Sequence, residues 1–472
     1  MTSAFSSSDS IKENQCVLAV NDSILFEEIW NAEQTERCLH WIEDNGLERV
    51  ALQFPDQLIR YSVQIADELQ RSTKEGVRIY VLGDTSYGSC CVDEIAASHA
   101  SADGIIHFGH ACLSRVVRTP TFYVFYQFPL DEAHLLDTLT HAFSDGQTRF
   151  NCFYDVGYLH AVTKLKDKLI QRFPQAKVAT LASPDQKPDV LCWKFEQPHT
   201  SDCPAIYVGK DNLSFFNTTV AIESAQWYLY DPSSKVPTLE QTSAIGAKWI
   251  RRRNYAIEKC KDATAIGIVV ATLSTAGYLE IVTRIQRLAK ARGVRSYIIS
   301  IGKVNPEKLA NFIDIDCFVL VGCPENDTFT SREFYRPLLS VFEAEMALNP
   351  TWREKLCLHY TTNFTELLPE GRLFSDVEEI SYAEADDDAP DVSLITGKAR
   401  GAVRNFKEEP NFTSQELVGK GNNQLAHISS ADHFANRSWQ GLEQNLGNDK
   451  PALIEEGRSG IPIRYENDPK KS

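Results

Sequence analysis

Cysteine residues at the ends of short apolar runs are the feature of this sequence most able to do chemistry. Cys90 and Cys91 are adjacent in a polar, glycine-containing segment, and Cys112 and Cys323 each come a few residues after another apolar run. In open parallel α/β sheets, ligands bind at the loops beyond the carboxyl ends of the strands. Thiolates gathered there favour a soft metal, and iron–sulfur clusters are the commonest all-cysteine case without zinc-type spacing.

The spacing alone leaves several roles open for these cysteines. Zinc sites usually contain close pairs such as C-x₂-C, and the sequence contains no such pair. A free cysteine often packs as a small hydrophobic residue, and a loop cysteine can be a nucleophile when a histidine base is near. Close to Cys112 lie His107, which we expect to be a core residue within a strand, and His110, a loop residue that could orient a metal ligand.

Composition and charge limit the class of protein. The chain has 472 residues, of which 43% are hydrophobic and 24% charged, as in ordinary globular proteins. Its formal net charge of −16 argues against nucleic acid as a direct partner. No apolar stretch approaches the ~20 residues of a membrane span, and the N-terminus lacks the pattern of a secretory signal. We therefore expect a cytoplasmic protein without a membrane partner, whose thiols stay reduced.

Alternating strand and helix patterns predict an α/β fold with parallel sheets. Strands are expected at 49–54, 77–82, 104–108 and 121–125, and again at 265–270, 296–300 and 316–321. Cys112 and Cys323 both follow a third strand, so they occupy matching places in two copies of one unit. The basic run 248–253 falls in a predicted helix, where a solvated face is expected and contact with an acidic partner is the alternative.

The middle of the chain predicts a third copy of the unit, and the acidic run 384–388 marks where the folded part ends. Possible middle strands are 150–155, 177–181 and 205–209. The predicted divisions are a disordered N-terminus at 1–20, αβ domains at 21–147, 148–255 and 256–383, and an extended, partly docked polar tail at 384–472.

Longer motifs around the cysteines resemble the diphthamide biosynthesis family. The runs that carry the resemblance are 82–94, 107–113, 269–274, 301–309 and 321–325. It extends over about 40–380, and the tail blocks 438–442 and 451–461 resemble subunit 2 of the family rather than subunit 1.

The resemblance implies both a fold and an activity. The family's two eukaryotic subunits form a heterodimer that moves a 3-amino-3-carboxypropyl group from S-adenosylmethionine to one histidine of elongation factor 2, the first step of diphthamide synthesis. The implied fold is three related αβ domains in a pseudo-threefold arrangement. One cysteine from each domain holds a 4Fe-4S cluster at the junction.

The resemblance also assigns metal ligands. The third-domain ligand corresponds to Cys323, and the first-domain ligand to Cys91, with Cys90 as its substitute because neighbouring side chains in a tight loop point in different directions. The stretch that corresponds to the family's middle ligand, 180–184, contains no cysteine, so Cys112 is expected in the third place. Core packing is expected for three further cysteines: Cys152, Cys192 and Cys203.

Loss of the middle ligand implies a subunit that supports the transfer and has no catalytic residue of its own. We expect its 4Fe-4S cluster to support reduction of the cluster in the catalytic subunit 1, with elongation factor 2 as substrate and an electron-donor protein as a further partner. The alternatives are a self-sufficient S-adenosylmethionine-cleaving transferase, a metal-free scaffold of the heterodimer, and an iron–sulfur dehydratase of the quinolinate synthase type.

Overall fold

Three sheets, built mainly of parallel strands, form the framework of the protein. The structure is a computed structural model, and it describes residues 24–83, 89–116, 118–143, 148–182, 188–195, 202–242, 247–326, 333–349, 352, 360–376, 392–397, 460–461 and 464–465. Within those residues, no helix is both long enough and apolar enough to cross a membrane. The chain divides into two compact units, Met1–Asn405 and Phe406–Ser472, and the three sheets belong to the first.

The strands are short, and most lie in the first unit. In chain order they are Arg49–Gln53 (β1), Arg78–Val81 (β2), Gly104–Phe108 (β3), Thr121–Val124 (β4), Asn151–Tyr154 (β5), Lys177–Val178 (β6), Thr180–Leu181 (β7), Trp193–Lys194 (β8), Ala205–Val208 (β9), Trp227–Tyr230 (β10), Leu239–Thr242 (β11), Ala265–Val270 (β12), Arg295–Ser300 (β13), Cys317–Val321 (β14), Leu338–Ser340 (β15), Gly460–Ile461 (β16) and Arg464–Tyr465 (β17).

The helices connect these strands. In chain order they are Ala32–Asp44 (α1), Ser62–Ser72 (α2), Glu94–His99 (α3), Glu132–Ala142 (α4), Leu159–Arg172 (α5), Leu213–Ala221 (α6), Ala247–Lys261 (α7), Tyr278–Ala291 (α8), Pro306–Ala310 (α9) and Val341–Leu348 (α10). Short 3₁₀ helices occur at Phe26–Glu28, Asp56–Tyr61, Val156–Tyr158 and Phe364–Leu367. Several helices begin at a capping side chain; Asn305, for example, accepts a hydrogen bond from the amide of Lys308 at 2.9 Å.

All three sheets contain the same parallel strand order. The first sheet is ordered β2-β1-β3-β4 and the third β13-β12-β14-β15, and every neighbouring pair in both is parallel. The middle sheet repeats the order as β6-β5-β9-β10 and adds β11 antiparallel to β10. The predicted α/β class with parallel sheets is therefore confirmed.

The central strands are buried because helices cover the sheets on both faces. Every residue of β3 and of β14 is buried, as is typical of strands inside parallel sheets. In the third sheet, Val319 of β14 packs in one core cluster with Ile285 of α8 and Phe342 of α10. Strands held in this way give fixed starting points to the loops that leave their carboxyl ends.

Several sequence-based expectations differ from the structure. The predicted strand 177–181 is two strands of two residues, β6 and β7, in different sheets. Basic residue Arg253 of α7 is not on a solvated face: it is 5% exposed, and its Nε donates to Glu343 Oε1 at 2.6 Å.

The division of the chain into three αβ domains between two terminal segments remains a prediction. The N-terminal segment 1–20 lies outside the described residues, as does most of the tail 384–472. Of the tail, the structure describes the segment 392–397, where Ser393 is buried and its Oγ donates to Asp262 Oδ2 at 2.6 Å. It also describes the antiparallel pair β16 and β17, which belongs to the second unit.

Candidate metal centre

Four cysteine side chains meet where loops of the first and third sheets converge. Four sulfur atoms lie within 4.8 Å of one another, and they belong to Cys90, Cys91, Cys112 and Cys323. We call this set of four cysteine side chains the thiol group. The separation between Sγ atoms is 3.4 Å for Cys90 and Cys323, 3.8 Å for Cys91 and Cys112, and 4.0 Å for Cys90 and Cys91. A thiolate-bound metal needs sulfur atoms grouped around one point, so the thiol group could hold one.

Strand ends and one backbone hydrogen bond position these loops. Cys112 follows β3 and Cys323 follows β14, at the carboxyl ends where ligands of parallel sheets bind. The amide of Cys112 donates to the carbonyl oxygen of Cys90 at 3.2 Å, which joins the two loops of the first sheet. The structure brings the sulfur atoms of both Cys90 and Cys91 into the thiol group, although the sequence favoured Cys91 with Cys90 as its substitute.

Gln53 supports the first loop, and the sequence did not single it out. It ends β1 and is 1% exposed. Its Nε2 donates to the carbonyl oxygen of Cys91 at 2.8 Å, and its Oε1 accepts from the amide of Asp93 at 2.9 Å. Both ends of a buried amide are thereby hydrogen-bonded to one loop. The signal that could have found it was a polar residue at the carboxyl end of an otherwise apolar strand.

Hydrogen bonds among the thiols set their acidities. Bonds from Cys323, Cys90 and Cys91 lower the pKa of Cys112 well below its ordinary value. The pKa values of those three thiols are raised, first because each is hydrogen-bonded to Cys112 and further because burial disfavours a thiolate. These hydrogen bonds favour a thiolate within the group, and the thiolate is the form that binds a metal.

Polar groups also contact the sulfur atoms from outside the thiol group. The amide of Glu325 donates to Cys323 Sγ at 3.2 Å, and Ser114 Oγ lies 3.3 Å from Cys112 Sγ. Hydrogen bonds to sulfur tune the properties of a thiolate-bound metal. Beside the thiols lies a small cleft with a volume of only about 10 Å³, and Ser274 and Thr275 form part of its wall.

The two histidines near Cys112 have different environments. His107 is 1% exposed, its Nε2 lies 3.1 Å from the carbonyl oxygen of Ser89, and burial lowers its pKa to about 4. It is therefore neutral at pH 7, and Nε2 donates to that carbonyl, which agrees with the expected core role. Burial also lowers the pKa of His110, but the charge and hydrogen bond of Glu325, with the charge of Asp155, outweigh this effect and raise it to about 10.

The cysteines expected to pack in the core lie with the middle sheet. Cys152 is buried in the core cluster of that sheet, and Cys192 is half-buried against it. Cys203 is also buried, and its sulfur accepts a hydrogen bond from Asn151 Nδ2 at 3.3 Å. These positions agree with core packing. Of the stretch that corresponds to the family's middle ligand, residues 183 and 184 lie outside the described part of the chain.

Fold and site together define an α/β protein with three parallel-rich sheets and a four-cysteine group able to bind a metal. The family model for diphthamide synthesis proteins matches residues 54–357. The chain therefore belongs to the diphthamide synthesis protein family, in agreement with the resemblance noted in its motifs.

Related proteins match nearly the whole chain. The 2-(3-amino-3-carboxypropyl)histidine synthase subunit 2 of Danio rerio is 34% identical, with 99% of this chain and 98% of the relative covered. The protein of the same name from Xenopus laevis is 36% identical with 92% of each covered. The one from Schizosaccharomyces pombe is 31% identical, with 92% of this chain and 90% of the relative covered. These matches confirm the likeness to the second subunit.

A solved structure shares the fold. Dph2 from Pyrococcus horikoshii, described with a 4Fe-4S cluster, matches with a TM-score of 0.55 and 19% identity over 70% of this chain and 92% of that chain.

Proposed function

We propose that the chain is the iron–sulfur subunit required for the first step of diphthamide synthesis. In this proposal it forms a heterodimer with a catalytic subunit 1 and supports transfer of a 3-amino-3-carboxypropyl group from S-adenosylmethionine to a histidine of elongation factor 2. The support is that relatives covering nearly all of the chain are named subunit 2 of the corresponding synthase, a name that implies a first subunit.

The observation that carries the proposal is the thiol group itself. Cys91, Cys112 and Cys323, with Cys90 beside Cys91, supply four soft ligands within 4.8 Å of one another. Their number and chemistry fit a 4Fe-4S cluster, and the archaeal Dph2 structure contains a cluster of this type. When bound, such a cluster accepts and releases one electron.

The count of thiols favours electron delivery over catalysis. Cys91 and Cys323 are 8% and 9% exposed, whereas Cys90 and Cys112 are half-buried beside the cleft. Four protein thiols leave no cluster position to be filled by a substrate, in contrast to metal sites that act on substrates through an open position. This chain would therefore support reduction of the catalytic partner rather than cleave S-adenosylmethionine itself.

The remaining partners follow from this role. The proposal places the chain in the cytoplasm, with an electron-donor protein as a further partner and neither membrane nor nucleic acid bound directly. The formal net charge of −16 supports the last point, because it disfavours binding to phosphate-rich surfaces.

The test uses the complete heterodimer under anaerobic conditions with elongation factor 2 and S-adenosylmethionine. Electrons come either from flavodoxin reduced by its NADPH-dependent reductase or from dithionite, a small reductant that can reach the partner directly. We expect Cys323→Ala in this chain to lower modification strongly with flavodoxin and far less with dithionite. Mass spectrometry of the modified peptide measures the product, and Cys152→Ala is the matched control from the core.

Two results would contradict the proposal. Full activity of the Cys323→Ala heterodimer with flavodoxin would favour a metal-free scaffold. Turnover of S-adenosylmethionine by this chain alone, with reductant, would favour a self-sufficient transferase.

A further inference from the structure

A second buried cluster lies beside the thiol group and brings polar side chains together from loops of all three sheets. His110 comes from the loop after β3, Glu325 from the loop after β14, Asp155 from the end of β5, and Ser214 from the first turn of α6. The side chains of His110, Asp155 and Glu325 are only 17%, 11% and 13% exposed. Buried charged groups of this kind are stable only when paired and hydrogen-bonded.

Glu325 makes the shortest contacts within the cluster. His110 Nε2 lies 2.6 Å from Glu325 Oε2, and Ser214 Oγ donates to Glu325 Oε1 at 2.6 Å. The Ser214 oxygen is also 3.3 Å from His110 Nε2, so it can accept from that group while donating to Glu325. On the other side of the ring, His110 Nδ1 is 3.9 Å from Asp155 Oδ1. The imidazole therefore lies between carboxylates from two different sheets.

The middle sheet anchors this cluster through two cap residues. Asn212 caps α6 by accepting from the amide of Phe215 at 3.0 Å, and its Nδ2 donates to Asp155 Oδ2 at 2.7 Å. Asp155 in turn accepts from the amide of Gly157 at 3.1 Å. Both anchors have their positions fixed by backbone groups, so they give His110 and Glu325 a rigid reference.

We propose that His110, Glu325, Ser214 and Asp155 form a positioning clamp that sets the place of the two thiol-bearing loops against the middle sheet. His110 is two residues from Cys112, and Glu325 is two residues from Cys323, so a change in either bond moves a sulfur atom. All four thiols come from segments that carry the first and third sheets. The clamp is how the middle sheet contributes to the site, through hydrogen bonds in place of a sulfur ligand. This role rests on the proposed function only in that the thiol group binds a metal.

Ser214 offers the sharpest test because it lies 111 residues from Glu325 in sequence and is also distant in sequence from the four cysteines of the thiol group. We expect Ser214→Ala to weaken binding of Co²⁺ to the cluster-free chain roughly tenfold, the lower end of what loss of an outer-shell partner costs. It should also change the electron paramagnetic resonance signal that the anaerobically reconstituted cluster gives after one-electron reduction with dithionite. Ser214→Thr keeps the hydroxyl and should restore both.

Ser224→Ala is the matched control. The Ser224 hydroxyl also makes a hydrogen bond that connects parts of the middle region, donating to the carbonyl oxygen of Cys203 at 2.8 Å. It should change thermal stability at most and leave Co²⁺ binding as in the wild type. The clamp is overturned if Ser214→Ala binds Co²⁺ and cluster like the wild type, or if Ser224→Ala loses as much affinity.

The outcomes also separate the clamp from the proposed function. A wild-type chain that binds Co²⁺ in a Ser214-dependent way but never holds a cluster would retain the clamp and remove the iron–sulfur role. A chain that holds its cluster equally well in wild type and Ser214→Ala would retain the iron–sulfur role and remove the clamp. A wild-type chain that takes up neither metal would overturn both.

Discussion

Cys90 and Cys323 lie with their sulfur atoms 3.4 Å apart although 233 residues separate them in the chain. One belongs to a loop of the first sheet and the other to a loop of the third. The contact requires both sheets to direct the carboxyl ends of their strands to one point. Metal binding at this point should therefore respond to changes in either loop.

The first prediction concerns iron. Cys323→Ala should remove most iron and sulfide from the anaerobically purified chain, because it deletes the thiol that the third sheet contributes. Cys91→Ala should lose less iron than the Cys90→Ala and Cys91→Ala double variant, because three thiols of the group remain in the single variant and only two in the double variant. Chemical iron and sulfide analysis, alone and with the partner subunit, measures the effect.

Controls for this experiment come from the core. Cys203→Ala removes a buried cysteine beside Asn151 and should leave the iron content unchanged. The partner's own cluster should stay intact in every variant. If Cys91→Ala, Cys112→Ala and Cys323→Ala all keep the wild-type iron content, the ligand assignment is wrong.

The second prediction follows from the separations between sulfur atoms. Four thiolates at about 2.3 Å from one tetrahedral ion have sulfur–sulfur separations of about 3.8 Å, and the contacts here are 3.4, 3.8 and 4.0 Å. The cluster-free chain should therefore bind one Co²⁺ with the absorption spectrum of tetrahedral thiolate ligation. Cys112→Ala should lose that spectrum. Binding of one Co²⁺ per chain with a spectrum typical of oxygen or nitrogen ligands alone would contradict the prediction.

Much of the fold around the thiols could be predicted because buried parallel strands are continuous apolar runs. The apolar runs predict strands at 104–108 and 316–321, and the structure has β3 at Gly104–Phe108 and β14 at Cys317–Val321. Equivalent strand ends then placed Cys112 and Cys323 on the same kind of edge. By contrast, β6 and β7 have two residues each, too few for any periodic pattern to appear.

The polar surroundings of the site could not be predicted because their partners are distant in sequence. His110 and Glu325 are 215 residues apart, and no local pattern links them. Gln53 holds the Cys91 loop through a contact that forms only once the strand is in its sheet. The same reason explains Arg253, whose partner Glu343 comes from another helix.

The third prediction concerns pH and His107. Its pKa is lowered from 6.5 to about 4 by burial, so between these values the unfolded chain binds a proton that the folded chain does not. Above pH 6.5 His107 should therefore cost no stability. As the pH falls towards 4, the free energy of unfolding should decrease by a total on the order of 3 kcal/mol. His107→Gln keeps a donor for the carbonyl of Ser89 and cannot titrate.

Urea unfolding at several pH values compares the two proteins. As the pH falls from 7 to 4.5, the wild type should lose more free energy of unfolding than His107→Gln does. Parallel profiles over this range would show that His107 does not carry the effect.

The fourth prediction concerns the buried pair of Arg253 and Glu343. Arg253→Met leaves the Glu343 carboxylate buried without its guanidinium and should lower the free energy of unfolding by about 3–5 kcal/mol. Adding Glu343→Gln removes the isolated charge while keeping an acceptor for the Tyr360 hydroxyl, 3.1 Å away. The double variant should therefore recover part of the loss.

The neighbouring residue Arg251 provides the control for this pair. It lies on the same helix and is exposed, so Arg251→Met should change the unfolding free energy by only about 0.5 kcal/mol or less. Equal losses in Arg251→Met and Arg253→Met, measured by urea unfolding, would contradict a special role for the buried pair.

The last prediction compares two glycines that occupy matching places after β3 and β14. Gly109 has φ of +89°, and a Cβ there would lie 3.0 Å from the Tyr126 hydroxyl oxygen and 3.2 Å from Pro55 Cγ. Gly322 has no such positive φ, and a Cβ would approach no closer than 3.3 Å, to the Asn326 side chain. Alanine at Gly109 should thus add backbone strain of about 1–3 kcal/mol.

That strain lies three residues before Cys112, so Gly109→Ala should reduce both the unfolding free energy and the iron bound per chain. Gly322→Ala should keep nearly wild-type values of both, although it is directly beside Cys323. Iron analysis and urea unfolding of the two variants, prepared side by side, measure the contrast. Equal iron loss in the two variants would mean that both loops tolerate a side chain equally poorly, although their backbone conformations differ. The conformation of Gly109 would then not be what positions Cys112.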